Sequence, residues 1–345
     1  MTSLAVGEPP FVSVCIPTYR DAQFLSQSLG SIVSQTYLNL EILVGDDASP
    51  DNTAEVVNAF QDSRIRYLRN SVNLGQFENV NHLVRQSRGK YIAIYHSDDY
   101  YDPEIVRKEV AFLESYPDVG AVFALDRRVD DFGRIIGKMK LMPEIRVNRP
   151  LTFSEIFPIL LRHRNRVFRT PTFMCRAEIV RAAGGFSSSY DIAGDLEMWL
   201  RINQLAPIAI LNEYLMYYRR GSSQVSSSYE RLRTYEDHFF VIMDQFMNRL
   251  PPGTSLDPDV LLEYEYHRRA DETLRALNCI RLGKFDEARA LLSHPFPWRT
   301  FLIPTTDLFR RKLALAVKRF TVKLTLGFGG ERWLAPFMRQ PKSLS

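Results

Sequence analysis

Hydrophobic and polar positions follow two different periods along the first part of the chain. Residues 11–16 form a short apolar, β-branched run that ends at Pro17, as expected of a buried strand. Residues 22–35 then place apolar side chains at helical spacing. The alternation continues, with predicted strands over 41–45, 64–69, 90–95 and 120–124 and predicted helices over 51–60, 76–87 and 103–116.

This alternation predicts an α/β fold with a mostly parallel central sheet flanked by helices. Ligands of such sheets bind at the carboxyl ends of the strands. The loops after Ile16, Gly45 and Tyr95 are therefore the first places to look for a site. From residue 229 onward the pattern is helical, which predicts a C-terminal helical extension.

Acidic pairs stand at two of these loops. Asp46 and Asp47 end the second predicted strand, and Asp98 and Asp99 follow the fourth. Adjacent carboxylates are costly to bury together unless a cation joins them, and oxygen ligands suit Mg²⁺ or Mn²⁺. The pattern favours a divalent metal that neutralises a bound diphosphate. The alternative is that these acids are helix caps or solvated loop residues.

The C-terminal segment is more basic than the rest of the chain. Residues 305–345 carry nine Lys/Arg and two acidic residues, although the net charge of the whole chain is only +4. A mildly acidic body with a basic tail argues against nucleic acid as a partner. The apolar residues Phe309, Leu313, Ala316 and Phe320 recur at helical spacing. They predict a basic amphipathic helix that lies on an anionic membrane surface or packs on the protein.

Three scattered cysteines lack metal-ligand spacing and predict buried, reduced thiols. The first ten residues lack the charged and apolar regions of a secretory signal, and no run approaches the ~20 apolar residues of a membrane span. We therefore expect a cytoplasmic protein, with peripheral contact at the inner face of the membrane as one role for the basic segment.

Five short motifs in this chain resemble those of family-2 glycosyltransferases, in their order and spacing. The motifs are Pro17-Thr18-Tyr19, Asp46-Asp47-Ala48-Ser49-Pro50-Asp51-Asn52-Thr53, Asn73-Leu74-Gly75, Arg88-Gly89-Lys90-Tyr91 and His96-Ser97-Asp98-Asp99-Tyr100-Tyr101-Asp102-Pro103. The resemblance covers roughly residues 11–226. It implies a GT-A fold and an inverting transfer of a sugar from a nucleotide-sugar to a hydroxyl acceptor.

With this resemblance the chain divides into a tail over 1–10, a GT-A catalytic domain over 11–226, a helical region over 227–304 and the basic amphipathic segment over 305–345. The implied partners are a nucleotide-sugar donor and a glycan or lipid-linked saccharide acceptor in bacterial surface-glycan assembly. The Gln-x-x-Arg-Trp motif of processive members does not occur, so we expect one sugar per acceptor.

The resemblance also implies roles for particular residues. Asp98 would ligate the divalent metal, and Asp195 would be the general base that takes the acceptor's proton, a role worth ~10²–10⁴-fold in rate. The alternative for Asp195 is a helix N-cap. Asp46 or Asp47 would accept a hydrogen bond from the nucleoside base. The full set of expected donor-site residues is Pro17, Tyr19, Asp46, Asp47, Asn73, Gly75, His96, Ser97, Asp98, Asp99 and Arg219.

Among the positions that depart from the family pattern, His96 replaces an acid and Gly194 replaces a glutamate. A neutral imidazole ligates metals or bonds a ribose hydroxyl, or else His96 packs beside Tyr95. Arg219 meets the diphosphate or is a surface arginine. The departures keep open a second hypothesis, a catalytically silent GT-A-fold binding or scaffold protein. A nicotinamide dehydrogenase is disfavoured because no Gly-rich turn follows the first strand.

Overall fold

The computed structural model describes residues 8–220, 233–303 and 306–327, and the side chains of 306–310 lie outside the description. Nine strands are described: β1 Val12–Thr18, β2 Leu40–Asp46, β3 Ile65–Arg69, β4 Tyr91–Ile94, β5 Tyr100–Tyr101, β6 Ala121–Val129, β7 Ile135–Lys138, β8 Phe173–Arg176 and β9 Ile208–Arg219. The described helices are α1 Ala22–Val33, α2 Thr53–Asn58, α3 Gln76–Gln86, α4 Ile105–Ser115, α5 Phe153–His163, α6 Ala177–Ala182, α7 Gly194–Leu205, α8 His238–Asn248, α9 Pro258–Arg281, α10 Phe285–Ser293 and α11 Thr306–Gly327.

The nine strands form one mixed sheet in the order β3-β2-β1-β4-β8-β6-β9-β5, with β7 paired to β6. The pairs β3–β2, β2–β1, β1–β4 and β6–β9 are parallel. Strand β8 runs antiparallel to both of its neighbours. The α/β architecture predicted from the sequence is confirmed. The parallel half corresponds to the region where strand and helix alternate most regularly.

Buried strands explain why this half of the sheet could be predicted. All seven residues of β2 are buried, and β1 is buried except at Pro17. Helices pack on the sheet through residues such as Leu25 and Leu29 of α1 and Leu113 of α4, which lie in the same core cluster. A parallel sheet covered on both faces has continuous apolar strands, and these are easy to recognise in a sequence.

The chain divides into two compact units, Met1–Phe157 with Asn165–Gly221 and Pro158–Arg164 with Ser222–Ser345. The predicted boundary at 226/227 lies outside the described residues, as do most of the tail over 1–10 and part of the segment over 305–345. These boundaries remain predictions. Within the described ranges, no helix has the length and apolar content that crossing a membrane requires.

The second unit is helical, as expected. The residues that α11 buries, however, differ from the predicted apolar stripe. Its basic residues Lys312 and Arg319 are buried and form ion pairs, with Lys312 Nζ 2.5 Å from Glu263 and Arg319 Nη2 3.1 Å from Glu272. Ala316 also faces inward. The exposed apolar face consists of Leu313, Val317, Phe320 and Leu324. The side chain of Phe309 lies outside the described residues.

Candidate active site

The candidate site is built at the carboxyl ends of the parallel strands, where the fold argument placed it. Pro17, the residue before the end of β1, pairs with Gly45 of β2. Tyr19 follows β1 with its ring exposed, and the Arg20 guanidinium lies 5.0 Å from that ring's centre. The Asp47 amide donates to the Thr18 carbonyl over 3.0 Å, which ties the two strand ends together.

Asp46 is fully buried and shapes the turn that follows β2. Its Oδ1 accepts from the Ser49 amide at 2.8 Å, and its Oδ2 accepts from the Tyr67 hydroxyl. The Arg69 Nε lies 3.6 Å from the same oxygen. The structure therefore shows that Asp46 holds the loop after β2 against β3, and its predicted bond to a base remains a prediction.

Asp47 organises the loop over residues 70–75. Its carboxylate accepts from the Asn70 side-chain amide at 2.9 Å and from the backbone amides of Leu74 at 2.8 Å and Gly75 at 2.9 Å. Asn73 adds a bond of 3.3 Å to the Asp47 carbonyl. Gly75 has φ +86°, a left-handed conformation that favours glycine. The structure thus joins the predicted residues Asp47, Asn73 and Gly75 in one loop.

The turn after β4 brings His96, Asp98 and Asp99 together. Their potential ligand atoms all lie within 4.8 Å of one another. Asp99 Oδ2 is buried and has no hydrogen-bond partner among the described residues, whereas Oδ1 accepts from the Arg219 amide at 2.8 Å. A buried carboxylate oxygen without a donor is costly, and a cation would satisfy it. The donor set of two carboxylates and one imidazole fits a divalent metal.

Burial controls the protonation of this cluster. Burial raises the pKa of Asp98, which the Arg219 charge partly offsets. Burial and the neighbouring Asp98 raise the pKa of Asp99 well above its usual range. Burial lowers the pKa of His96 to about 4, so its imidazole is neutral near pH 7 and able to ligate a metal.

Hydrogen bonds from neighbouring elements hold the backbone of this turn. The His96 amide donates to the Tyr101 hydroxyl at 2.6 Å, and the His96 carbonyl accepts from the Ser28 hydroxyl at 2.8 Å. Ser97, predicted as a donor-site residue, donates through Oγ to Asp21 at 2.6 Å. In the structure Ser97 therefore positions the turn from its buried side.

Arg219, at the end of β9, clamps the same turn. Its backbone amide donates to the Asp99 carboxylate, its Nε donates to the Asp98 carbonyl at 2.9 Å, and its Nη2 donates to the Gln27 side-chain oxygen at 2.6 Å. The guanidinium lies 4.3 Å from the centre of the Phe24 ring. Arg219 is buried, so the surface alternative is wrong. In this conformation its hydrogen-bond donors contact protein groups. The predicted bond to a diphosphate would require some of these hydrogen bonds to break.

Asp195 is the second residue of α7, so it is not the helix N-cap. The residue before the helix is Ala193, and no side chain caps this end. Asp195 Oδ2 accepts from the Thr170 hydroxyl at 2.5 Å, and Oδ1 accepts from the Leu196 amide at 2.6 Å. Burial raises the pKa of Asp195, and the Thr170 hydrogen bond opposes that rise. The arrangement suits a carboxylate that takes up a proton.

Gly194 explains one departure from the family pattern. A Cβ at this position would lie 2.5 Å from the Ser187 carbonyl oxygen and 2.7 Å from the Phe77 ring. A glutamate cannot occupy Gly194 without moving this backbone contact. The close packing beside Asp195 is therefore a structural reason for glycine at this position.

Arg169 is a charged site residue that the sequence analysis missed. Its Nε donates to the buried carboxylate of Asp126 at 2.7 Å, and its guanidinium lies 4.9 Å from the centre of the Tyr218 ring. The charge of Arg169 lowers the pKa of both Asp99 and Asp195. Arg169 and Thr170 stand directly before the apolar run of β8, a polar-to-apolar boundary that could have drawn attention to them.

Two solved structures share the fold of this chain. S. aureus TarS in complex with UDP-GlcNAc superposes with a TM-score of 0.61 at 17% identity, covering 93% of this chain and 92% of that one. The mannosyltransferase PcManGT from Pyrobaculum calidifontis, in complex with GDP-Man and Mn²⁺, gives a TM-score of 0.55 at 18% identity and covers 93% and 85%. The fold is GT-A, as the sequence predicted.

Sequence relatives narrow the class to one family. The Glycosyl transferase family 2 profile matches residues 13–181. An uncharacterized glycosyltransferase of Haemophilus influenzae is 32% identical over 224 residues, covering 64% of this chain and 68% of that protein. The chondroitin synthase of Pasteurella multocida is 26% identical over 301 residues, and the match spans 84% of this chain but 29% of that enzyme. The chain belongs to glycosyltransferase family 2.

Proposed function

We propose that the protein transfers a sugar from a nucleotide-sugar to a hydroxyl acceptor, with inversion at the anomeric carbon. The observation that carries this proposal is the cluster of His96, Asp98 and Asp99 at the sheet edge, with one buried oxygen unsatisfied among the described groups. Nucleotide-sugars are bound in the TarS and PcManGT structures, which supports the donor class.

Asp98 would be the main ligand of a divalent metal, with His96 and Asp99 beside it. A metal bound there neutralises charge that builds on the leaving nucleoside diphosphate. Mg²⁺ or Mn²⁺ suits the oxygen ligands, and Mn²⁺ accompanies GDP-Man in PcManGT. Arg219 would keep both carboxylates in place through its bonds to Asp99 and to the Asp98 backbone.

The nucleoside would lie against Pro17 and Tyr19 and beside the loop that carries Asn73 and Gly75. Exposure of the Tyr19 ring supports a stacking role for it. Asp46 and Asp47 hold the two loops at their present separation, and a base contact would use their remaining acceptor capacity.

Asp195 would remove the acceptor's proton as the hydroxyl oxygen attacks the anomeric carbon. The new C–O bond forms as the bond to the diphosphate breaks, and a single displacement inverts the configuration. The hydroxyl of Thr170 holds one Asp195 oxygen, which fixes the orientation of the carboxylate. Burial raises the pKa of this carboxylate, which makes it a stronger base when it is ionised.

The acceptor would be a glycan or lipid-linked saccharide in bacterial surface-glycan assembly, and one sugar would be added per acceptor. The similarity to a chondroitin synthase supports a role in polysaccharide synthesis. The exposed apolar face of α11, with Lys318 and Lys323 beside it, supports peripheral contact with the inner face of the membrane from the cytoplasm.

A panel of nucleotide-sugars, read as released nucleoside diphosphate, tests the function directly. We expect one donor to turn over in the presence of Mn²⁺ or Mg²⁺. Asp195→Asn should reduce transfer by at least ~10²-fold and leave donor binding nearly intact. Full activity of that variant would refute the base assignment, and turnover of no donor by the wild type would refute the transferase proposal.

The second candidate is a catalytically silent GT-A-fold protein, and His96 is the observation in its favour. The replacement of an acid by imidazole removes one negative charge from the metal cluster. A silent protein would bind uridine or guanosine diphosphate without metal dependence and would turn over no donor. The proposed enzyme would bind the diphosphate in a metal-dependent way and would turn over a donor.

A further inference from the structure

The hairpin formed by β6 and β7 exposes large apolar side chains. Phe132 in the turn is 84% exposed, and Ile135 and Ile136 of β7 are 62% and 57% exposed. Strand β7 pairs only with β6 among the described strands, so side chains on both of its faces reach solvent. Exposed apolar groups concentrated on one projecting element mark an interaction site more often than scattered ones do.

The turn of this hairpin is rigid. Asp130 Oδ1 accepts from the amides of Phe132 at 3.0 Å and Arg134 at 2.9 Å, and Asp130 Oδ2 accepts from the Arg134 Nε at 2.7 Å. Gly133 has φ +79° and donates its amide to the Asp130 carbonyl at 3.0 Å. The apolar side chains are therefore presented on a fixed support, at a low entropic cost of binding.

The hairpin is joined directly to the candidate metal site. Arg219 Nη1 donates to the carbonyls of Asp130 at 3.3 Å and Asp131 at 3.1 Å. The same arginine bonds Asp99 and the backbone of Asp98. The base of the hairpin and the candidate metal site therefore share Arg219 as a hydrogen-bonding partner.

The charge around the apolar residues is mainly positive. Arg134, Lys138 and Lys140 are exposed on the hairpin and just after it. The acids among them are the exposed Asp131 and the partly buried Asp130, which pairs with Arg134. The guanidinium of Arg134 lies 5.3 Å from the centre of the Phe132 ring, so cation and apolar group share one edge. This combination matches a lipid surface, where hydrocarbon lies directly beneath phosphate.

We propose that the tip of the β6–β7 hairpin docks on an anionic phospholipid surface and so brings the active site to a lipid-linked acceptor. The inference rests on the proposed function, since it names the acceptor class of the same site. A second copy of the chain fits less well, because two tips would bring Arg134 and Lys138 against their own equivalents.

Vesicle co-sedimentation of the full chain tests the docking surface without requiring turnover. The test variant is Phe132→Gln/Ile135→Gln/Ile136→Gln. The matched control is Leu38→Gln, which removes a side chain that is 74% exposed just before β2, at the opposite end of the parallel strands. We expect wild type and control to bind phosphatidylglycerol vesicles and the triple variant to bind at least ~10-fold more weakly.

A local probe separates this surface from α11. Phe132→Trp should show quenching of the introduced indole by brominated phosphatidylglycerol, beyond that of the wild type, and brominated phosphatidylcholine should quench it less. Equal vesicle binding by the triple variant and the wild type, absent quenching, or a dimer in sedimentation velocity that the triple variant loses would each overturn the proposal. An inactive Asp195→Asn protein that binds vesicles normally would separate docking from catalysis.

Discussion

The hydrogen bond from Thr170 to Asp195 is the residue-scale contact with the clearest chemical consequence. A general base must be ionised to act, so its activity falls as pH falls through its pKa. Burial raises the pKa of Asp195, and the Thr170 hydroxyl stabilises the charged form. Removal of the hydroxyl therefore raises this pKa further and moves the loss of activity to higher pH.

Thr170→Val should move the acidic limb of the kcat/KM profile upward by about one to two pH units, since a hydrogen bond to a charged group is worth ~1.5–3 kcal/mol. Thr170→Ser retains a hydroxyl and should keep the limb near its original position. Donor affinity should be unchanged in both variants. The measurement is a pH–rate series with saturating donor, and an unshifted limb in Thr170→Val would contradict the positioning role.

Gly194 gives a second residue-scale prediction, this time about stability. In Gly194→Ala the new Cβ meets the Ser187 carbonyl, so the start of α7 must shift, and we expect a loss of ~1–3 kcal/mol in the free energy of unfolding. The control is Gly30→Ala, inside α1. Its Cβ would lie 3.9 Å from the Phe60 ring, so this substitution should be neutral or stabilising. Denaturant titration of both variants measures the difference, and equal midpoints would contradict the packing argument.

Sequence reasoning identified residues that stand in recognisable motifs. It did not identify residues whose role depends on strands that pair across long stretches of the chain. Asp98 and Asp99 could be located because an acidic pair directly follows an apolar strand. Arg169 and Thr170 stand in a segment without clear periodicity, and their meaning arises only when β8 pairs between β4 and β6. Long-range strand order of this kind leaves no local signal.

At the scale of elements, the half of the sheet with parallel and antiparallel pairs was also difficult to predict from the sequence. The short strands β5 and β7 have two and four residues, and β9 reaches β6 by a parallel pairing across residues distant in sequence. Regular alternation predicted β1, β2 and β4 because each is an almost continuous buried run, and it also predicted β3, which is only partly buried. An edge strand such as β7 has no buried face and therefore no apolar periodicity to detect.

The orientation of helix α11 determines how its contact with a membrane should be tested. Sequence reasoning predicted a basic face toward solvent or lipid, yet Lys312 and Arg319 turn inward to Glu263 and Glu272. Removal of the whole segment would leave two buried carboxylates without these cations, and such losses are strongly destabilising. Substitution of the exposed face is therefore a cleaner test of membrane contact than deletion of 305–345.

We expect glutamine at the exposed apolar positions of α11 to weaken binding to phosphatidylglycerol vesicles severalfold, because buried apolar area drives interfacial binding. The positions to change together are Leu313, Val317, Phe320 and Leu324. Ala314→Gln, on the same helix and also exposed, is the matched control. Co-sedimentation at two salt concentrations gives the measurement, and unchanged binding by the fourfold variant would remove α11 from the membrane contact.

At the scale of the whole molecule, metal and donor binding should appear as stability, because a ligand that binds only the folded state shifts unfolding by mass action. The unit that contains the site holds the cluster of His96, Asp98 and Asp99 with an oxygen for which no described group is a donor. At a ligand concentration of 100 times Kd the gain is ~2.7 kcal/mol, or roughly 5–10 °C in Tm for a unit of this size.

Mn²⁺ together with the nucleoside diphosphate of the preferred donor should therefore raise the Tm of the wild type more than either does alone. Asp98→Ala should lose this joint effect, whereas Asp195→Asn should keep it, because the role proposed for Asp195 concerns the acceptor and not the donor. Thermal unfolding of the three proteins, followed with and without each ligand, separates binding from catalysis. A joint shift that survives in Asp98→Ala would place the metal elsewhere. A shift by nucleotide alone, with no metal effect and no turnover, would favour the silent binding protein.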